Sequence, residues 1–81
     1  MTDTLELEIA IKRAGLTKEE VAKRLNLSSM GFYQKLNNIT EFKASEISRL
    51  YDILNLKSLE EQQRIFFRRE VDLKSTREQM Q

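Results

Sequence analysis

The sequence predicts an all-α domain, a compact bundle of four to five short helices. Apolar residues recur at spacings of three and four, which is the period of an amphipathic helix. Residues that favour helix N-termini precede several of these apolar stripes. The 81 residues, 40% of them hydrophobic, suffice for one core, and the chain has no cysteine for a disulfide. We expect one domain over residues 1–73 and a frayed polar tail over 74–81.

The clearest local signals describe two short helices joined by a tight turn. Thr17 and Glu20 have the three-residue spacing of a capping box. Ser28 is a favourable cap for the next helix. Asn26 lies between them and is suited to the left-handed backbone of a turn. Together these signals form the helix-turn-helix pattern. The two helices are predicted over residues 17–25 and 28–37.

The other helices follow from their apolar stripes and boundary residues. Helix one includes Ala14 on its apolar face and ends at Gly15. Helix four has Ala44 packed at its start and Asn55 as a left-handed cap at its end. Ser58 begins helix five. Beyond it, apolar and polar residues nearly alternate, which predicts a short extended segment packed on the domain or on a second subunit. These elements are predicted over residues 4–14, 43–54, 58–66 and 67–73.

The charge distribution favours a polyanionic partner near the two central helices. The net charge is only +1, but residues 12–49 carry eight basic and four acidic residues, while residues 1–11 carry three acids and no base. Residues 50–81 are balanced, with six of each sign. A positive excess on one part of a chain is typical of a surface that binds nucleic acid.

Composition argues against an enzyme, a metal protein or a membrane protein. The chain has no histidine and no cysteine, which are the usual general base, thiol nucleophile and soft metal ligands. The adjacent acids at 19–20 and 60–61 lie in first turns of helices, where the helix dipole explains them. No apolar run approaches the ~20 residues of a membrane span, and no signal peptide opens the chain. We expect a cytoplasmic protein without cofactor, metal or small-molecule ligand.

One face of the helix predicted over residues 28–37 is not needed for packing against the core. Phe32 and Leu36 point inward, and Gly31 costs roughly 0.5–1 kcal/mol of helix stability relative to alanine. A helix that accepts such a cost often presents an interaction surface. In the alternative interpretation, Met30 and Tyr33 lie over a neighbouring helix. The outward residues are Ser29, Met30, Tyr33 and Gln34.

The run GLTKEEVAKRLNLSSMGFYQKLNN, followed by ASEISRLYDILNL, resembles the lambda-repressor-like, Cro-type (Xre-type) family of DNA-binding domains. The resemblance covers about residues 5–57, and Asn26 stands where the family usually has glycine. The tail IFFRREVDLKST is similar to the ends of small regulators encoded by phages and prophages. The resemblance rests on Gly15, Leu16, Thr17, Ala22, Leu25, Leu27, Ser28, Phe32 and Leu36.

The resemblance implies that the helix over 28–37 lies in the major groove of double-stranded DNA. Its base-contacting positions fall on Ser29, Met30, Tyr33 and Gln34. Its phosphate-contacting positions fall on Thr17, Lys18, Ser28, Asn37, Asn38 and Lys43. Gln34 has the amide that reads adenine bidentately, and Met30 could contact a thymine methyl group. Ser29 or Tyr33 could bond a base or a phosphate.

The resemblance also suggests how the protein acts and with which partners. We expect a small Cro-like phage or prophage repressor that works at the nucleoid of a bacterial host. A single module buries too little surface on DNA for tight specific binding. We therefore expect a homodimer on a palindromic operator, with the two subunits in contact through helix five and the apolar tail. In the alternative, the same fold is a protein-binding module. It would then act as an antirepressor or co-repressor by pairing with another phage repressor.

Overall fold

The computed structural model describes residues 1–68, which fold into five α-helices. The helices are α1 (Thr4–Arg13), α2 (Lys18–Arg24), α3 (Ser29–Leu36), α4 (Ala44–Ile53) and α5 (Leu59–Phe66). No strand occurs within this described range, so the predicted all-α fold is confirmed there. Phe67 and Arg68 follow α5 without helical structure. The rest of the predicted extended segment, 69–73, and the tail, 74–81, lie outside the described residues.

The helix N-termini are capped as the local signals predict. Thr17 and Glu20 form the full capping box, with backbone-to-side-chain hydrogen bonds of 3.1 and 3.0 Å. The Ser28 hydroxyl accepts from the Gly31 amide at 3.0 Å. Ser58 caps α5 in the same way. The predicted ranges are slightly longer than the observed helices because they include these capping residues, which lie just outside the helix.

Four helices end in the same way, with one residue in the left-handed conformation. Each end has two backbone hydrogen bonds that close the last turn, as in the Schellman motif. This geometry confirms the left-handed conformation predicted for Asn26 and Asn55 and the end of α1 at Gly15, and it adds Asn38, which ends α3. The φ angles are 73° at Gly15, 60° at Asn26, 63° at Asn38 and 57° at Asn55.

The core fixes α3 from its inner side. Phe32 and Leu36 are almost completely buried. The Phe32 ring packs edge-on against Phe42 at 6.0 Å between centroids, and Phe42 packs in turn against Phe66 at 6.0 Å. All five helices contribute to this core, which consists of Leu7, Ala10, Ile11, Val21, Ala22, Leu25, Phe32, Leu36, Leu50, Leu54, Leu56, Ile65 and Phe66.

Two alanines that were predicted to pack inward are exposed. Ala14 lies beyond the last residue of α1, so it belongs to the closing turn and not to the apolar stripe. Ala44 is the first residue of α4 and is exposed, while its neighbours Phe42 and Ile47 pack against the core. The apolar stripe of α1 is therefore one helical turn shorter than predicted, whereas the stripe of α4 is as predicted apart from the packing of Ala44 at its start.

Candidate nucleic-acid interface

The candidate interface is built on α2, α3 and the turn between them. Asn26 ends α2 in the left-handed conformation, and the Leu27 amide donates to the Ala22 carbonyl at 2.9 Å. The two helices pack against each other through buried residues that include Val21 and Phe32. The outer side of α3 is therefore held in a fixed orientation relative to α2.

The outer side of α3 faces away from the core. Met30 is 64% exposed and Tyr33 is 55% exposed, while Ser29 is exposed and Gln34 is half-buried. More than half of the surface of Met30 and of Tyr33 is therefore left uncovered by neighbouring helices. With Lys18 and Glu19 they border an apolar groove of about 360 Å³ between the start of α2 and α3. The structure brings the four predicted base-contacting residues together on this one helix face, which we call the α3 face.

The N-termini of α2 and α3 carry the predicted phosphate-contacting hydroxyls. Thr17 and Ser28 are both exposed, and each hydroxyl accepts a capping hydrogen bond from an amide three residues on. A hydroxyl that accepts such a bond still has its own proton to donate to an anion. The free amides of a helix N-terminus also give it a partial positive charge. Both sites are therefore chemically suited to a phosphate oxygen.

The two predicted phosphate-contacting lysines differ in their surroundings. Lys18 forms an ion pair with Glu8 of α1 at 2.7 Å, a contact that the sequence did not indicate. Both side chains are well exposed, and such surface pairs contribute little stability, so Lys18 can exchange its partner for a phosphate. Lys43 is exposed and belongs to none of the ion pairs formed within residues 1–68.

The structure gives the two asparagines after α3 structural roles. The Asn37 side-chain amide donates to the Tyr33 carbonyl at 2.9 Å and covers the helix end. Asn38 was predicted to contact phosphate, but its side chain is engaged by Thr2. It accepts from the Thr2 amide at 2.9 Å and donates to the Thr2 carbonyl at 2.8 Å. Asn38 is also the left-handed residue that ends α3 and it remains exposed, so its phosphate contact stays a prediction beside this structural role.

The start of the chain thus holds the C-terminal end of α3. In addition to the bonds between Thr2 and Asn38, the Thr4 hydroxyl donates to the Leu36 carbonyl at 2.7 Å. The Asp3 amide donates to the Ile65 carbonyl of α5, and the Asp3 carboxylate pairs with Arg68. Residues 2–4 therefore connect α3 to α5. No local pattern in the sequence indicates this connection, because its partners are 32 to 65 residues apart.

Lys35 is the one basic residue of α3, and it lies in a largely buried ion pair. Its ammonium contacts Glu46 of α4, and the two side chains are 13% and 11% exposed. Glu46 also accepts from the Lys43 amide at 2.8 Å, which caps the start of α4. Burial raises the pKa of Glu46, but the hydrogen bonds and charges of Lys35 and Lys43 outweigh burial and lower it. The pair ties α3 to α4.

No protein family, curated protein or solved structure matches this chain. Within residues 1–68, no three acidic side chains come together as a possible metal-binding group. The described helices, of which the longest have ten residues, fall short of what a membrane-spanning segment requires.

Proposed function

We propose that this protein is a sequence-specific DNA-binding transcriptional regulator, a small Cro-like phage or prophage repressor with α3 in the major groove. The exposure of the α3 face is the observation that carries the proposal. Met30 and Tyr33 are large side chains left outside the core, on the helix whose inner side is fixed by Phe32 and Leu36. A major groove ~12 Å wide admits one helix, and base edges in it can be read by side chains.

Electrostatics supports the same proposal. The region of residues 12–49 has a net charge of +4, and it contains the whole α3 face. Phosphate contacts supply the salt-dependent part of DNA affinity. The protein would act in the cytoplasm of its bacterial host, at the nucleoid. We assign phosphate contacts to Thr17, Lys18, Ser28, Asn37, Asn38 and Lys43.

We further propose that the protein binds a palindromic operator as a homodimer. A single small module buries roughly 600–1,000 Å² on DNA, and a two-fold pair would place two recognition helices ~34 Å apart, one helical turn of DNA. A candidate dimer face lies away from α3, where Leu5, Leu59 and Phe67 are all more than half exposed and border one open groove. Sedimentation should detect a dimer, free or on DNA. A monomer in both conditions at high concentration would contradict it.

A protein-binding role is the second candidate. The apolar groove beside Met30 and Tyr33 favours it, because such a groove also suits an apolar side chain of another protein. The modest positive charge is also compatible with a partner other than DNA. In this case the chain would pair with another phage repressor as an antirepressor or co-repressor.

A DNA titration separates the two candidates. The purified protein is titrated onto host or prophage intergenic DNA at two salt concentrations. If α3 reads DNA, affinity falls several-fold with modest salt and is abolished by Tyr33→Ala combined with Gln34→Ala. Ser48→Ala is the control, since Ser48 is exposed on α4 and lies outside both the α3 face and the groove beside Leu59, and it should bind like the wild type. An affinity that changes neither with salt nor with the two substitutions in α3 would favour the protein-binding role.

A further inference from the structure

The α3 face contains no basic side chain that is available to bond guanine bidentately. The usual guanine reader is an arginine or lysine that bonds the O6 and N7 atoms in the major groove. In α3, with the sequence SMGFYQKL, the one basic residue is Lys35. Its ammonium is occupied by Glu46, and its side chain is only 13% exposed.

Lys35 is also held firmly in this position. Withdrawing it would leave the carboxylate of Glu46 largely buried without its counter-charge, which is strongly unfavourable. Glu46 itself is fixed by its second bond to the Lys43 amide at the start of α4. Moving Lys35 to a base would therefore disturb the packing of α3 on α4.

The remaining groups of the α3 face match adenine and thymine. Met30 and Tyr33 present exposed apolar surface beside a groove whose floor is closed by the buried Phe32 and Leu36. In the major groove, thymine offers a C5-methyl group to such a surface. Adenine offers its N6 and N7 atoms to an amide like that of Gln34.

We propose that α3 selects A·T base pairs, with thymine methyl groups against Met30 and Tyr33 and an adenine bonded to Gln34. This inference rests on the proposed DNA-binding function and adds the class of operator that the protein recognises. Specificity then comes from apolar contact with methyl groups more than from charge. Basic residues outside α3 would supply affinity without selecting the sequence.

The first test is selection of binding sites from a random pool of DNA duplexes by the purified full chain. The expected half-site has A·T pairs at the positions that α3 contacts. Each thymine of the selected site is then replaced by deoxyuridine, which removes one methyl group. Loss of a buried methyl should weaken binding roughly fourfold at contacted positions. Deoxyuridine in the flanking sequence is the control and should have no effect.

A double-substitution cycle assigns the methyl contact to its residue. If Met30 contacts a given thymine, deoxyuridine at that position should weaken the wild type but leave the affinity of Met30→Ala unchanged. Tyr33→Phe keeps the ring and should keep the deoxyuridine effect at its own position. Circular dichroism of each variant checks that the fold is retained.

The outcomes distinguish this inference from the function on which it rests. Selected sites with G·C pairs under α3, or indifference to deoxyuridine, would overturn the A·T inference and leave sequence-specific DNA binding intact. DNA binding without any sequence enrichment would overturn both the inference and the sequence-specific function. The absence of any salt-dependent DNA binding would overturn the proposed function, and the inference with it.

Discussion

The two hydrogen bonds between Asn38 and Thr2 should make Asn38 important for stability, although its side chain is at the surface. Asn38→Gly removes both bonds while glycine accepts the φ of 63°. A typical hydrogen bond contributes about 0.5–1.5 kcal/mol net, so the two together should contribute about 1–3 kcal/mol. The bonds join positions 36 residues apart, and their loss should also release the C-terminal end of α3.

Asn55→Gly is the matched control for this substitution. Asn55 also ends a helix with a positive φ, of 57°, and its side chain makes no hydrogen bond within residues 1–68. Its replacement should change the free energy of unfolding by less than about 0.5 kcal/mol. Urea denaturation followed by circular dichroism measures both variants, and hydrogen exchange of the Thr2 amide reports the local bond. Equal stability of the two variants would refute the structural role assigned to Asn38.

Three further predictions concern the elements that position α3. Thr17→Ala removes the capping hydroxyl of α2 and should lower the free energy of unfolding in urea by about 1 kcal/mol, whereas Thr17→Ser should lower it by much less. Phe32→Ala removes the buried ring between α3 and the core and should cost about 3–5 kcal/mol in the same assay; a loss below 1 kcal/mol would contradict the packing described. Because folding lowers the pKa of Glu46 below its ordinary value of 4.5, its contribution is present above that pH and is lost as pH falls through the lower folded value. Urea midpoints between pH 6 and pH 3 should therefore fall less steeply for Glu46→Gln than for the wild type, and parallel curves would exclude this contribution.

Local signals in the sequence predicted the boundaries of the helices well. The capping partners Thr17 and Glu20 are three residues apart, and the left-handed turn at Asn26 depends on its immediate neighbours. Such features depend on residues that are close together in the sequence, so their spacing alone identifies them. The outward direction of Met30 and Tyr33 was also predictable, because Phe32 and Leu36 define the inner side of the helix.

The contacts that orient α3 could not be predicted in this way. Lys35 and Glu46 are eleven residues apart on different helices, and Asn38 meets Thr2 across 36 residues. Whether such groups meet depends on the packing of whole helices, which no local pattern encodes. Asn38 was therefore assigned to phosphate by resemblance, while its side chain holds the start of the chain.

Chemical-shift mapping by NMR tests the central claim most directly. The full chain, labelled with ¹⁵N and ¹³C, is titrated with a duplex obtained by binding-site selection. If α3 enters the major groove, the largest amide shifts fall on residues 28–34 and at the start of α2, and Met30 methyl signals shift with them. Shifts concentrated on α5 and the groove beside Leu59, with residues 28–34 unchanged, would contradict the claim that α3 is the DNA-reading element.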